Sequence, residues 1–357
     1  IAEQRPKNAG DFDRMRAAPL LLLEEHPRLV IDEAQRLPEI FSVLRTVLDR
    51  RPRHRVALLG SASPRLVRGI SESLTGRIAW LELGGISVLE RSTPDLWPKG
   101  GFPRVHWSRP RAKPEDWYPA WLRTSLEQDI PQLGISVAPQ RLRALLTLVA
   151  NAQGTTVATT ELGAPLGVSY HTVAHWLELL EGVFLVRRLR PYFANIKKRL
   201  VKSPKLYVRD TGLLHSLLGM GFTRKRVLSH PGAGASFETF CLEQIIQMAA
   251  LFDSSSEAFF FRTHTGLEID LLLVLRGRLV PIEVKLGLGA PDPRGLQAAM
   301  YELGLRHGFI VYAGEGPDTM SPADETAIKD MCIEEDNALF KAGKLIMASP
   351  LQGPENA

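Results

Sequence analysis

The sequence predicts an α/β protein of about two to three domains, and three observations support this. The chain has 357 residues, which is long for one ordinary core. Between residues 20 and 90, short apolar runs alternate with helical stretches, as in a parallel sheet covered by helices. Three short helices and then a β-hairpin follow further along the chain. We therefore expect a helical unit and a second α/β unit after the first.

The composition argues against several classes of protein. The hydrophobic fraction of 45% is ample for buried cores, and the net charge is +5. Cys241 and Cys332 form no C-x-x-C pair, which argues against a disulfide scaffold or a thiolate zinc site and favours a reducing cytosol. A signal-peptide pattern is absent, as is a run of about 18 apolar residues, so we expect a cytoplasmic protein without a membrane segment.

The first α/β unit contains an apolar run that ends in two acids, Leu29-Val30-Ile31-Asp32-Glu33. A buried parallel strand has this form, and its first acid emerges at the carboxyl edge of the sheet. Nucleotide-hydrolysing sheets present carboxylates to magnesium in this pattern, which is called Walker B. We expect Asp32 to bind the magnesium shell and Glu33 to polarise water, with ATP and magnesium as cofactors of the full-length form.

The phosphate-binding loop that belongs with a Walker B strand is absent from the sequence. No stretch matches G-x-x-x-x-G-K-[ST], whose backbone amides and lysine surround the phosphates. Residue 1 is isoleucine, so we expect the numbering to begin inside a longer protein, although a degenerate short form would look the same. In either case we expect this chain to bind ATP poorly.

Ser61 follows the second apolar strand and is expected beside the end of the Asp32 strand. ATPases use a small polar residue at that position to sense the γ-phosphate. The alternative is an ordinary strand-to-helix turn in which Ser63 is the N-cap before Pro64.

The middle of the chain predicts a connection and then a helical unit. Prolines, tryptophans and basic residues dominate residues 92–114, and we interpret residues 92–135 as a linker and helical connection. Helical patterns follow over residues 140–152 and 160–166, and Ser169 is a good N-cap for a third helix. A strand pattern comes next, so residues 136–205 have the order of a winged helix-turn-helix.

The third helix of this unit has an inward and an outward face. Tyr170 and His171 point outward, where such a helix most often enters a major groove. The alternative is a small helical domain that packs on its neighbours. The residues expected to point inward are Val173, Trp176, Leu177 and Leu180.

The interval between Glu181 and Asp210 contains no acid. A local basic cluster attracts polyanions, so we expect contact with nucleic acid, with DNA favoured. An ordinary solvated face is the alternative. The positive residues of the interval are Arg187, Arg188, Arg190, Lys197, Lys198, Arg199, Lys202, Lys205 and Arg209.

A β-hairpin is predicted in the C-terminal half, with Arg276-Gly277 as its two-residue turn. Leu275 then faces Arg278, and the same register sets Asp270 opposite Glu283. Opposed carboxylates repel unless a cation lies between them, and hard cations prefer oxygen ligands. We therefore expect Asp270 and Glu283 to bind magnesium or manganese.

Further side chains extend this group. The register places Glu268 opposite Lys285, on the same face as Asp270 and Glu283, and Lys285 could stabilise an attacked phosphate in a nuclease reaction. A plain amphipathic strand, with Ile282 and Val284 inward, is the alternative. Other candidates are Glu238, which the helix dipole could equally explain, and the exposed pair Gln297 and Tyr301.

Taken together, the motifs resemble the prokaryotic AAA-type ATPases that carry a C-terminal domain of unknown function. They are Ile31-Asp32-Glu33-Ala34-Gln35, Leu59-Gly60-Ser61, Ser73-Leu74-Thr75-Gly76-Arg77, Lys202-Ser203-Pro204-Lys205-Leu206-Tyr207, Asp210-Thr211-Gly212-Leu213 and Ile282-Glu283-Val284-Lys285. The resemblance implies a P-loop ATPase domain over residues 1–91, truncated before Walker B, then a winged helix. A domain of restriction-endonuclease-like fold is implied over residues 206–350.

The same resemblance assigns roles in the ATPase domain. It makes Asp32 and Glu33 the Walker B acids, Ser61 a sensor and Arg77 a candidate arginine finger, although Arg77 could equally close a structural salt bridge. An arginine finger acts on a neighbour's nucleotide, which leaves a homo-oligomer open.

Three functions are compatible with these patterns. The first is an AAA-type ATPase that binds or acts on DNA. The second is a metal-dependent nuclease with Asp270, Glu283 and Lys285 at its centre. The third is a non-catalytic regulator that binds nucleic acid or a protein partner.

Overall fold

Helices and strands alternate through the chain, which confirms the predicted α/β class. A computed structural model describes residues 9–34, 37, 39–51, 53–60, 74–91, 94–107, 112–132, 137–193, 203–287, 292–313 and 347–352. Its helices are α1 (Ala9–Ala17), α2 (Pro19–Glu25), α3 (Ile40–Arg50), α4 (Leu96–Lys99), α5 (Pro103–Trp107), α6 (Pro114–Thr124), α7 (Ile130–Gln132), α8 (Pro139–Asn151), α9 (Thr159–Leu166), α10 (Tyr170–Gly182), α11 (Thr211–Leu218), α12 (Arg224–Leu228), α13 (Ala233–Phe252) and α14 (Arg294–Glu302). A π-helical segment, Ser125–Asp129, joins α6 to α7.

The strands form two sheets. They are β1 (Arg28–Ile31), β2 (Arg55–Leu58), β3 (Thr155–Thr156), β4 (Val186–Pro191), β5 (Lys205–Val208), β6 (Glu257–Arg262), β7 (Glu268–Leu275), β8 (Arg278–Lys285), β9 (His307–Tyr312) and β10 (Met347–Gln352). Strands β1 and β2 pair with each other, and the other eight form one sheet in the order β10-β9-β8-β7-β6-β4-β5-β3.

The N-terminal unit is a parallel pair of strands covered by α3. Ile31 of β1 pairs with Leu58 of β2, and Ile31 is buried in the same core as Ile40 and Leu44 of α3. The amide of Leu59 donates to the carbonyl of Ile31, which holds the two carboxyl ends together. This arrangement confirms the predicted strand-helix-strand pattern over residues 28–58.

The proline-rich segment packs into the core, so its interpretation as a connection is revised for residues 94–107 and 112–132. Trp97 is buried between this segment and α13, where its indole Nε1 donates to Ser236 Oγ at 3.0 Å. Tyr118 and Leu122 are buried against the helices that follow. Burial of large apolar side chains stabilises the fold, whereas an exposed linker would leave them in water. This explains why the segment packs into the core.

The next unit runs in the order α8, β3, α9, α10, β4, β5. Strand β5 lies between β3 and β4 and is antiparallel to both. Ser169 is the N-cap of α10, as predicted, because its Oγ accepts a hydrogen bond from the Thr172 amide at 3.2 Å. Gly167 ends α9 with a φ of 62°, which a glycine adopts without strain. The four side chains predicted to point inward from α10 are buried.

The C-terminal unit is a sheet between two helices. Strands β6, β7 and β8 are successive antiparallel neighbours, and β9 returns parallel to β8 after α14. One face of the sheet packs against α13 and the other against α14. Strand β4 pairs in parallel with β6, which extends this sheet into the preceding unit.

The predicted hairpin register is confirmed. Leu275 pairs with Arg278, and Arg276 and Gly277 have φ values of 49° and 75°, as a two-residue type I′ turn requires. The paired residues continue to Leu271 and Ile282 and stop there. The ladder therefore ends one residue before Asp270.

The Asp210-Thr211-Gly212-Leu213 motif forms a tight corner. Asp210 is the N-cap of α11, with Oδ1 accepting from the Leu213 amide at 2.8 Å and Oδ2 accepting from the Gly101 amide at 2.7 Å. The hydroxyl of Tyr118 donates to the carbonyl of Lys99 in the same corner. Gly212 lies against these groups, so a motif found in the sequence has a packing explanation.

We expect Gly212→Ala to lower the free energy of unfolding by about 3 kcal/mol, because overpacking a filled core costs roughly this much. An added Cβ would lie 2.1 Å from the Tyr118 hydroxyl oxygen and 2.4 Å from the Lys99 carbonyl oxygen. Urea denaturation followed by circular dichroism measures the loss. The matched control is Gly234→Ala in α13, where nothing lies within 4 Å of the new Cβ. Equal stability of the two variants would contradict this packing explanation.

Candidate functional site: carboxylates around Lys205

Six charged side chains from four elements form the most distinctive polar group in the described structure. The strands and helices that contribute them are β5, α13, β7 and β8. The members of this group, which we call the carboxylate cluster, are Lys205, Glu238, Glu268, Asp270, Glu283 and Lys285.

Lys205 lies at the centre of three of the acids. Its Nζ is 2.5 Å from Glu268 Oε1, 3.3 Å from Asp270 Oδ1 and 3.4 Å from Glu238 Oε1. Only 2% of the Lys205 side chain is exposed. The Tyr207 hydroxyl donates to Glu238 Oε1 at 2.6 Å. A buried ammonium thus neutralises carboxylates that come from α13 and from β7, a strand separated from β5 by β4 and β6 in the sheet.

Burial and mutual charge set the ionisation of the cluster. Burial lowers the pKa of Lys205, but Glu238, Asp270 and Glu268 outweigh it, so that the pKa is raised and the ammonium stays charged. Burial and the nearby Asp270 raise the pKa of Glu238 and that of Glu283. The cluster therefore has four carboxylates but only two lysines, so negative charge is in excess. Binding of a proton by one of the carboxylates reduces that excess.

Asp270 uses both of its oxygens. Oδ1 contacts Lys205, while Oδ2 accepts a hydrogen bond from the Val284 amide at 3.0 Å, just beyond the end of the ladder. Strand β7 is also irregular here, because its register against β6 shifts between Phe259 and Phe261. Such irregularities reorient side chains. All four side chains that the hairpin was predicted to place on one face nevertheless belong to the carboxylate cluster.

Glu283 has a different partner from the other acids. Its Oε1 accepts from Lys285 Nζ at 2.5 Å, and its Oε2 is buried without a hydrogen-bond partner. Ile282 and Val284 are buried in the core against α13, as the amphipathic alternative predicted. Glu283 itself is not simply solvated, because only 12% of its side chain is exposed.

The cluster does not fit the divalent ion that the sequence suggested. Each Asp270 oxygen already accepts a hydrogen bond, one Glu283 oxygen has no partner, and magnesium requires a near-octahedral shell of about six oxygens. Within the described ranges, no group of three or more His, Cys, Asp or Glu side chains has an arrangement that could bind a metal. Lys205 contacts Asp270 and Lys285 contacts Glu283, and these contacts disfavour the expectation that Asp270 and Glu283 are metal ligands.

A second group of charges revises the interpretation of the basic interval. Arg187 and Arg209 both bind Glu243 of α13, and Arg209 also binds Glu82. Arg188 binds Glu181 through its Nε at 2.6 Å. With Lys205, four of the nine basic residues are therefore paired with acids that are distant in sequence or precede the interval. Arg187 and Arg188 do not present free charge to a ligand.

The other residues predicted to contact nucleic acid are either exposed or outside the described part of the chain. Tyr170 is 50% exposed, and its ring centroid lies 3.8 Å from that of His171, which is also exposed. Arg190 is exposed on β4. Lys197, Lys198 and Arg199 lie outside the described residues.

In the N-terminal unit, Asp32 and Glu33 are exposed at the carboxyl end of β1. The Asp32 Oδ1 accepts from the Glu33 amide at 3.0 Å, and Glu33 has a φ of 51°. Ser61 lies outside the described residues. Arg77 binds Asp49 through two nitrogens, at 2.5 and 3.0 Å, which is the structural salt bridge left open as an alternative to an arginine finger.

The observed start of α13 and the burial of side chains on α14 bear on three other candidates, Glu238, Gln297 and Tyr301. Helix α13 begins at Ala233, so Glu238 is beyond the first turn, where the helix dipole no longer explains it. The Ser236 hydroxyl, in the same helix, contacts His215 Nε2 at 2.6 Å. Gln297 is half-buried, whereas Tyr301 is 65% exposed.

The central role of Lys205 was missed in the sequence, where it counted only as one of nine basic residues. A signal was present, because Lys205 opens the apolar run Leu206-Tyr207-Val208. A lysine that begins a buried strand requires a carboxylate partner.

Comparisons with known proteins agree with the N-terminal geometry. Residues 2–91 match a family described as an AAA domain, residues 90–224 a domain of unknown function (DUF8612), and residues 233–328 another domain of unknown function (DUF4143). The parallel strand pair with acids at its carboxyl end and the AAA match over residues 2–91 agree with an AAA-type ATPase-like N-terminal domain.

The particular family follows from two relatives. The chain is 38% identical over 314 residues to uncharacterized protein Rv2008c of Mycobacterium tuberculosis and to uncharacterized protein Mb2031c of Mycobacterium bovis. The aligned part is 87% of this chain and 70% of each relative. The chain belongs to the same family as these two proteins. No solved structure matches it, and none of the described helices is long and apolar enough to cross a membrane.

Proposed function

We propose that this AAA-type protein binds DNA through residues 137–208, which we interpret as a winged helix. The observation that carries the proposal is the order of elements, α8, β3, α9, α10, β4, β5, with β5 between β3 and β4. In such units the third helix enters the major groove and the loop between the last two strands contacts the backbone. Here the third helix is α10, and residues 192–204 join β4 to β5 in the sequence.

The exposed end of α10 supports this proposal. Its first turn presents Tyr170 and His171 to solvent, and His175 is exposed one turn later. These side chains offer aromatic surface and hydrogen-bonding groups, which are suited to base edges and phosphates. In the sequence, residues 192–204 contain four basic residues, Lys197, Lys198, Arg199 and Lys202, and no acid.

The AAA domain supplies the second part of the proposal, the use of ATP with magnesium by a form of the protein that also carries the phosphate-binding loop absent from this sequence. Asp32 and Glu33 fit this role, because they present carboxylate oxygens at the carboxyl end of β1, and oxygen ligands are those that magnesium prefers. Asp32 would bind the magnesium shell and Glu33 would orient water. Bound magnesium would neutralise charge that develops on the phosphates.

The DNA proposal predicts salt-dependent binding that depends on the basic residues between β4 and β5 in the sequence. We expect fluorescence anisotropy to show affinity for a short duplex that falls as salt rises, and Lys197→Gln/Lys198→Gln to reduce the slope by about 2, one for each phosphate contact. The matched control is Arg278→Gln/Arg306→Gln, which removes the same charge from exposed positions elsewhere.

The control separates local contact from net charge. Equal loss in the two double variants, or a response that does not change with salt, would reject the winged-helix interface. Absence of binding would favour a non-catalytic regulator that recognises a protein partner.

A metal-dependent nuclease is the second candidate. The order α13, β6, β7, β8, α14, β9, with Asp270 and Glu283 on adjacent strands, favours it and supports a restriction-endonuclease-like fold. The contacts of Lys205 and Asp270 disfavour it, since they use the groups that a metal would need. DNA binding by an AAA-type protein therefore remains the better supported function.

A further inference from the structure

We propose that Lys205 takes the place of a divalent cation in the carboxylate cluster, so that this cluster is a metal-free junction between β5 and the C-terminal α/β unit. The inference does not depend on DNA binding or on ATP hydrolysis. It assigns to Lys205 a role that a metal ion would otherwise perform, namely holding mutually repelling carboxylates together in a buried space.

The first argument is geometric. The Lys205 ammonium contacts oxygens of Glu238, Glu268 and Asp270 at 2.5–3.4 Å, and these acids belong to α13 and β7, whereas Lys205 belongs to β5. One cation therefore joins three elements. An ion added to the cluster would have to share these oxygens with an ammonium only a few ångströms away, and like charges at that separation repel strongly in a buried site.

The second argument is that the surrounding structure holds the Lys205 side chain within the carboxylate cluster. Its backbone is paired on both sides, with Thr156 of β3 and Leu189 of β4, which fixes the direction of the side chain. The Nζ also lies 5.7 Å from the ring centroid of Phe260, which is buried. Displacing the ammonium would require a buried strand to move, in contrast to a surface lysine that simply rotates into solvent.

The third argument concerns the donors that remain. Both Asp270 oxygens and Glu283 Oε1 already accept hydrogen bonds, and Glu283 Oε2 is the one buried side-chain oxygen of this cluster without a partner. One unpartnered buried oxygen supplies only a small part of the shell of about six oxygens that a hard cation requires. If Lys205 were shortened, oxygens of Glu238, Glu268 and Asp270 would be released together.

These arguments predict that Lys205→Ala converts the cluster into a divalent-ion site. Mn²⁺ titration followed by electron paramagnetic resonance is the measurement, applied to the full chain. We expect Lys205→Ala to bind Mn²⁺ about tenfold or more tightly than the wild type, with the gain removed by adding Asp270→Asn. Lys205→Arg retains the positive charge and is expected to bind Mn²⁺ no better than the wild type.

The wild-type protein provides the decisive comparison even if Lys205→Ala does not fold. Comparing the Mn²⁺ titration of the wild type with that of Asp270→Asn separates Mn²⁺ bound at this cluster from Mn²⁺ bound at Asp32, because the substitution changes only the cluster. The proposal expects identical titrations. Mn²⁺ binding by the wild type that is lost in Asp270→Asn would overturn it, as would a folded Lys205→Ala that gains no affinity.

Discussion

Replacing Lys205 by methionine is expected to lower the free energy of unfolding by about 3–5 kcal/mol at pH 8, the usual cost of removing one partner from a buried ionic group. The variant leaves Glu238, Glu268 and Asp270 without their common cation in a site where Lys205 is only 2% exposed. Methionine keeps most of the side-chain volume, so lost packing contributes little. Urea denaturation followed by circular dichroism gives the change.

A second substitution distinguishes lost charge from altered shape. Lys205→Met/Asp270→Asn removes one of the uncompensated acids and is expected to recover part of the stability that Lys205→Met loses. Lys205→Arg should lose less than Lys205→Met, because it keeps a cation in the cluster. If the single and double methionine variants were equally unstable, the charge explanation would be wrong.

The second large effect is expected from Glu243→Gln, with a loss of about 3 kcal/mol at pH 7. Burial raises the pKa of Glu243, but Arg187 and Arg209 outweigh it and bring the pKa to about 2. Only 15% of the Glu243 side chain is exposed, so solvent screens these contacts weakly. Glutamine would leave two arginines facing a neutral group. Urea denaturation at pH 7 measures the loss.

The same contact predicts a pH dependence with a definite sign. The folded-state pKa of Glu243, about 2, lies below its usual value of 4.5, so its contribution is complete above pH 4.5 and is lost as the pH falls toward 2. The stability difference between wild type and Glu243→Gln should therefore shrink over this window. Glu257→Gln, at an exposed position on β6, is the control and should show no such change. A difference that stays constant with pH would contradict the assigned pKa.

Much of the fold follows from local sequence. The hairpin register was predictable because Arg276-Gly277 specifies a two-residue turn and the strand period is two. The cap at Ser169 and the buried face of α10 follow from similarly local rules. The AAA-type unit was predictable from an apolar run followed by Asp32 and Glu33.

The candidate site was predictable only in part. Asp270, Glu283 and Lys285 could be selected because they lie within one hairpin, yet the partners that determine their charge come from elsewhere. Lys205 is 65 residues from Asp270 in sequence, and Glu243 is 56 residues from Arg187. Residue spacing contains no information about such pairs. The irregularity in β7 also escaped prediction, because it depends on pairing with β6.

The sequence by itself determined the α/β class, the acids after β1, the helical unit and the hairpin, because each depends on periodicity and turn chemistry within a short segment. The tertiary structure decided which charged side chains are free to contact a ligand and which are paired within the protein. It paired Arg187, Arg188, Lys205 and Arg209 with acids and packed the proline-rich segment into a core. The physical reason is that burying a charge is costly unless a partner of opposite charge lies beside it, and only the folded chain brings those partners together.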